Sequence, residues 1–180
     1  MKLHTLIGCF ACVLGLTAFA HTQALPSASK PTRLQLGAGF TYARPDYSTP
    51  IKGISGYGDF DFTRHIGVEG DVHIVSLWTP SDIAENSYLL GPRFKWQFGK
   101  LTPYAKFLGG FGQFKYQYPS QYPGPATYTY GIYAFGAGVD YHLRRHLNIR
   151  PFDIEFQRWP GFQPSGLSPI VMTFGAAYTF

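Results

Sequence analysis

Apolar and polar side chains alternate with a period of two along most of this chain. In residues 33–44, Leu34, Leu36, Ala38, Phe40 and Tyr42 share one parity, and Gln35, Gly37, Gly39 and Thr41 share the other. A period of two places such sets on opposite faces of a strand. The pattern returns in 52–63, where Ile54, Phe60 and Phe62 oppose Tyr57, Asp59 and Asp61. In 66–78, Ile66, Val68, Val72, Ile74 and Trp78 oppose Glu69, Asp71 and His73; in 87–98, Tyr88, Leu90, Phe94, Trp96 and Phe98 oppose Arg93, Lys95 and Gln97. Residues 103–116 set Ala105, Phe107 and Phe111 against Lys106, Gly110 and Gly112, and 129–141 set Tyr133, Phe135, Ala137, Val139 and Tyr141 against Gly136, Gly138 and Asp140. In 147–157, Phe152, Ile154 and Phe156 oppose Asp153 and Glu155. Pro151 interrupts that ladder, which predicts a bulge and leaves the parity before it open. The last segment, 169–180, alternates Ile170, Met172, Phe174, Ala176, Tyr178 and Phe180 with small or hydroxylated residues.

Eight strands are therefore expected, each near the roughly 9–11 residues that cross a bilayer when tilted. The breaks between them alternate short (63–66, 99–102, 142–146) and long (45–51, 79–86, 117–128, 158–168). Short periplasmic turns and longer external loops give this rhythm in an up-and-down transmembrane β-barrel. The same alternation also fits a soluble sandwich or a lipocalin-like barrel with its large residues inward.

Composition bears on that choice. Charged residues make up 14% and aromatics 18%, against about 25% charge in ordinary soluble domains. Much of the surface is thus not built for water, and past the first segment no stretch reaches the roughly 18 apolar residues of a membrane helix. A barrel satisfies its backbone between strands and is the remaining membrane solution. Lys2 followed by an apolar run from Leu3 to Phe19, then Ala18-Phe19-Ala20 or Thr22-Gln23-Ala24, reads as a secretory signal peptide over 1–20. Cleavage is expected near Ala20 or Ala24. Cys9 and Cys12 would leave with it, so no disulfide or thiol chemistry is expected after cleavage. The apolar core follows Cys9 instead of preceding it, which argues against a lipoprotein. Residues 21–32 form a polar lead and 33–180 the barrel domain. The net charge of +5 comes from scattered bases with no Lys/Arg run, which argues against nucleic acid as a partner.

The polar parity gathers the candidate chemistry. Asp59, Asp61, Glu69, Asp71, His73, Arg93, Lys95, Lys106, Asp140, Asp153 and Glu155 are expected to face the lumen as an ion-pair network, because an unpaired charge inside a small barrel is costly. Switching of such pairs is the way a narrow pore would open. Tyr42, Trp78, Tyr88, Trp96, Phe98 and Tyr141 lie toward strand ends and are expected at the two membrane interfaces. Catalysis would need a nucleophile beside an oriented base; His73 and Ser76, with Asp71 and Glu69 nearby, have opposite parity, so no catalytic residue is assigned. His65, His142 and His146 are scattered turn residues without a tight acid cluster, and neither a metal nor another cofactor is expected there. Gly136-x-Gly138 and Gly109-Gly110-x-Gly112 sit in strands and are not phosphate loops. The loop carrying Tyr116, Tyr118, Tyr122, Tyr128 and Tyr130, stiffened by Pro119, Pro123 and Pro125, could provide an adhesive surface.

Several stretches together resemble the OmpA-like β-barrel superfamily, in particular its small eight-stranded porin-family members. They are 59–71 (Asp59-Phe60-Asp61-Phe62 through Asp71), Tyr88-Leu89-Leu90-Gly91-Pro92-Arg93, Thr102-Pro103-Tyr104, 135–141 and the closing Gly175-Ala176-Ala177-Tyr178-Thr179-Phe180. The resemblance does not extend to a peptidoglycan-binding domain. It implies an all-β, eight-stranded antiparallel barrel in the outer membrane of a Gram-negative bacterium. The implied partners are outer-membrane lipid and lipopolysaccharide, and the barrel-assembly machinery that reads a C-terminal strand ending in Tyr178 and Phe180. The expected role is structural or narrowly porin-like. The alternative is adhesion or ligand binding through the Tyr/Pro-rich loops, with a lipid A-modifying enzyme third.

Overall fold

The structure, a computed structural model, describes residues 33–46, 50–75, 83–116 and 126–180, with only the backbone at positions 83, 116 and 126. The expected signal peptide and lead, both cysteines, and Ser76, Trp78, Tyr118 and Tyr122 lie outside the described residues. Eight strands run in order: β1 (Arg33–Arg44), β2 (Ile51–Asp61), β3 (Ile66–Ile74), β4 (Ile83–Lys95), β5 (Leu101–Tyr116), β6 (Ala126–Arg144), β7 (Leu147–Arg158) and β8 (Ile170–Thr179). Each pairs antiparallel with its sequence neighbours, and β8 returns to β1, so the sheet is a closed barrel. Closure leaves no edge strand, which is what a membrane-spanning sheet requires.

The two faces follow the alternation. The outward parity carries the exposed apolar side chains, Leu36, Leu90, Phe135, Phe156 and Phe174 among them, while Asp59, Glu69, Arg93 and Glu155 point inward and are buried. A water-soluble barrel would reverse this distribution. The inward glycines make room for large lumen side chains. A methyl group at Gly37 would lie 2.3 Å from the Tyr57 ring, one at Gly138 2.4 Å from the Tyr104 hydroxyl, and one at Gly112 2.2 Å from the Trp159 ring.

Several boundaries differ from those the pattern predicts. β4 starts at Ile83, inside the expected 79–86 loop, because residues 83–86 pair with Gln113–Tyr116 of β5. It ends at Lys95, short of Phe98. Phe98 and Leu101 instead exchange backbone hydrogen bonds of 2.7 and 3.0 Å around a tight turn, where Gly99 takes φ 60 at no steric cost. β6 runs on to Arg144, so the basic turn expected at 142–146 shrinks and His142 becomes a strand residue. At the β2–β3 turn the Thr63 hydroxyl accepts from the amides of His65 and Ile66 at 3.2 and 2.9 Å, a side-chain turn of the usual Ser/Thr kind. The irregularity expected at Pro151 is present: the β7–β8 register shifts between Arg150 and Asp153.

Candidate functional site: the barrel lumen

The lumen is filled in tiers. At the turn end, Lys95 pairs with Asp61 beside a vestibule of about 320 Å³ lined by Arg33, Gln35, His142, Arg145 and Asn148 among others. Asn148 donates to the Gln35 Oε1 at 2.5 Å, and His142 meets Asn148 Oδ1 at 2.7 Å and Thr102 Oγ1 at 3.0 Å.

The middle tier is ionic. Arg93 reaches three carboxylates, with Nη1 2.8 Å from Asp59, Nη2 2.5 Å from Asp140 and Nε 3.1 Å from Glu69. Arg150 binds the same three from the opposite wall: Nε to Asp140 at 2.9 Å, Nη1 to Glu69 at 2.9 Å and Nη2 to Asp59 at 3.1 Å. Planar guanidinium groups suit this shared, multidentate pairing. Arg150 also stacks 3.8 Å over the Tyr57 ring, and Arg93 4.0 Å over Tyr104, as weakly hydrated cations do on aromatic faces. Lys106 sits above them, its Nζ 2.7 Å from Asp71, 2.8 Å from Glu69, 2.8 Å from Glu155 and 3.0 Å from Asp153. Tyr104 donates to Asp153, and His73 Nε2 lies 3.3 Å from Glu155 Oε1. Asp71, His73 and Glu155 bring ligand-type atoms within 4.8 Å of one another.

The tier toward the long loops is apolar. Leu89, Leu108, Phe114, Ile132, Ala134, Trp159 and Leu167 form one buried cluster, with Tyr130 and Phe162 packed on it. Trp159 and Leu167 come from the segment after β7, held by two backbone hydrogen bonds between them. Gln157 joins the tiers: it accepts from Trp159 Nε1 at 3.3 Å and donates to Glu155 at 3.1 Å and Ser87 at 3.2 Å.

All eleven residues expected in the lumen lie on the inward face; the structure links nine of them in one connected middle tier and Asp61 with Lys95 in a separate pair below it. Sequence reasoning missed Arg150. It lies before the bulge at Pro151, where alternation leaves the parity open, and the bulge turns it inward on the same side as Asp153. It also missed the apolar tier. Leu108 and Phe114 share the parity of Lys106, so the signal was present. The ion-pair network therefore does not fill the lumen: at the loop end, apolar side chains of the inward parity pack on one another and exclude water.

Of the expected interface aromatics, Trp96, Phe98 and Tyr141 lie toward the turn end and Tyr42 toward the loop end of β1. Tyr88 stacks on Phe111 at 5.1 Å, several residues from the start of β4. His65, His142 and His146 stay apart; His65 and His146 each bond a backbone carbonyl, of Lys95 at 3.1 Å and Thr179 at 2.9 Å. Ser55 and Ser87 are the serines opposite His73 in its two ladders; among the described residues the Ser55 hydroxyl has no hydrogen-bond partner and the Ser87 hydroxyl accepts from Gln157, so neither shows the contact a nucleophile needs from its base. Tyr178 and Phe180 face outward and meet edge to face at 5.0 Å.

The matches with known proteins accord with this architecture. The family model of the outer membrane protein β-barrel domain matches residues 10–180. No curated protein matches. Among solved structures, Ail, the attachment invasion locus protein of Yersinia pestis, is 18% identical, covering 83% of this chain and 99% of its own, with a TM-score of 0.57. OprG from Pseudomonas aeruginosa is 15% identical over 83% and 96%, TM-score 0.63. Neisserial surface protein A is 12% identical over 82% and 96%, TM-score 0.62. At such identities these matches speak to the fold.

Proposed function

The chain belongs to the outer membrane protein β-barrel family, and from that premise we propose that it is a structural barrel of the bacterial outer membrane whose lumen is closed at rest. One observation carries the reading. The middle of the lumen is occupied by Arg93, Arg150 and Lys106 and their shared carboxylates, and the loop end by the Trp159 cluster. A narrow porin-like path would have to open both. Exchange of pairs at Lys106 alone leaves the apolar tier in place, and displacement of Trp159 alone leaves the ionic one. Reconstitution in planar bilayers tests this. Wild-type protein is expected to give no steady conductance, Trp159→Ala none or brief openings, and Trp159→Ala combined with Lys106→Ala a sustained one. A steady wild-type channel would contradict the closed reading.

A second reading, surface binding through the loops, is favoured by the β5–β6 hairpin. These are the longest strands, and β6 continues from its last partner in β7, at Tyr133, back to Ala126, with Tyr128 exposed. Replacing 117–125 by a short turn is expected to abolish any cell or ligand binding while leaving the barrel heat-modifiable on gels. The reading includes removal of 1–20 as a signal peptide with cleavage near Ala20 or Ala24, contact with lipid and lipopolysaccharide through the outward aromatics, and recognition of Tyr178 and Phe180 by the assembly machinery. It assigns no catalytic residue.

A further inference from the structure

The ionic tier does not balance. Six buried carboxylates, Asp59, Glu69, Asp71, Asp140, Asp153 and Glu155, share three side-chain cations, Arg93, Lys106 and Arg150. A protonated His73 would still leave two negative charges uncompensated. Excess charge in a dry interior is costly, so the tier calls for further positive charge, as protons or as a bound cation. The shortage is sharpest at Lys106. An ammonium has three donor hydrogens, and here four carboxylates crowd its Nζ within 3.0 Å. Two of the four, Asp71 and Glu155, are the ones that approach His73.

A second, independent feature lies at the same place. Ser55, Tyr57, Asp71, His73 and Glu155 line one gap together with Lys106 and Arg150, too narrow to admit water. The Ser55 hydroxyl, the Tyr57 hydroxyl and His73 Nδ1 are all buried there without a hydrogen-bond partner among the described residues, and Ser55, Tyr57 and His73 are at most 5% exposed. Orphaned polar groups of this kind call for an occupant. Water does not fit; a bare cation is smaller.

We propose that Asp71, His73 and Glu155 hold a divalent transition-metal ion inside the barrel, with the Ser55 and Tyr57 hydroxyls beside it. Two carboxylates and an imidazole form a mixed oxygen and nitrogen set, and the imidazole selects zinc-like ions over calcium or magnesium. The ion supplies two of the missing positive charges and frees Lys106 to serve Glu69 and Asp153 alone. The ion cross-links β3 to β7 across the lumen, a contact that no pairing of neighbouring strands supplies.

The protein, free of any affinity tag, is to be unfolded in urea, refolded in detergent with Zn²⁺ or Co²⁺, and dialysed against a chelator. Elemental analysis is expected to find one zinc per folded chain, and the cobalt form to show visible d–d absorption. His73→Gln and Asp71→Asn are expected to lower retained metal at least tenfold in protein that is still heat-modifiable. His65→Gln with His146→Gln is expected to leave retention unchanged. Should the site variants not fold, Zn²⁺ is still expected to raise the wild-type unfolding midpoint. Folded wild-type protein that retains no metal and is not stabilised by zinc overturns the proposal, as does retention that survives His73→Gln or that disappears with the two turn histidines.

Discussion

Two adjoining tiers of one lumen reach the same burial by opposite chemistry. Leu108 and Trp159 are as completely buried as Glu155 and Arg150, none exceeding 1% exposure. The apolar tier gains from every contact independently, through burial of area and close packing. The ionic tier depends on partners, because each of its charges is favourable only while the others are present. The difference teaches where the barrel is brittle. An apolar side chain that is trimmed leaves a cavity, whereas a charge that is trimmed leaves other charges stranded.

The largest effect should therefore come from Arg150→Ala. Asp59, Glu69 and Asp140 would all lose a shared cation, and about 3–5 kcal/mol of stability should go with it, read from the urea midpoint of detergent-folded protein. Arg150→Lys keeps the charge without the fork and should fall between wild type and alanine. A loss below about 1 kcal/mol for the alanine variant would put the two tiers on the same footing and break the comparison.

Next comes the apolar tier itself. Trp159→Ala should cost about 3 kcal/mol, at the low end for a large core aromatic, since the loop around it can settle. Gly112→Ala sharpens the point, because its methyl group would meet the Trp159 ring. Overpacking of about 1–3 kcal/mol is expected, largely relieved in the double variant with Trp159→Ala. Additive losses in that cycle would show that the ring does not sit against Gly112.

The smallest effect belongs to Lys95→Ala. Its pair with Asp61 is partly open to the vestibule and connects to neither tier, so a loss of about 1 kcal/mol or less is expected, with no change in conductance. A larger loss, or a channel that opens, would tie the vestibule pair into the network.

How much of this is legible in the sequence follows the same division. Period-two alternation is local, so the eight strands and the inward parity of Asp59, Glu69, Arg93 and Lys106 could be read directly. Strand ends are set by partners. β4 begins at Ile83 only because Gln113–Tyr116 extend the ladder, and nothing within 79–86 announces it. Arg150 was hidden by a single irregularity, the register shift at Pro151, which breaks the counting rule at the residue that matters most. The apolar tier was hidden for a different reason. Leu108, Phe114 and Ile132 carry the inward parity, but their meeting with Trp159 depends on a loop folding back into the barrel, which alternation does not encode. Placing Asp71, His73 and Glu155 together likewise required closure of the barrel, since β3 and β7 are not neighbours.

The central claim is that the ionic tier is one interdependent unit. A double-variant cycle between Arg150→Met and Glu69→Gln tests it most directly, with unfolding free energies measured on detergent-folded protein. Each single variant should be strongly destabilising, and the pair should lose less than the sum by at least about 1 kcal/mol, because removing both partners strands fewer charges. Losses that simply add would mean that Arg150 and Glu69 act separately, and the lumen would be a set of independent contacts instead of a network.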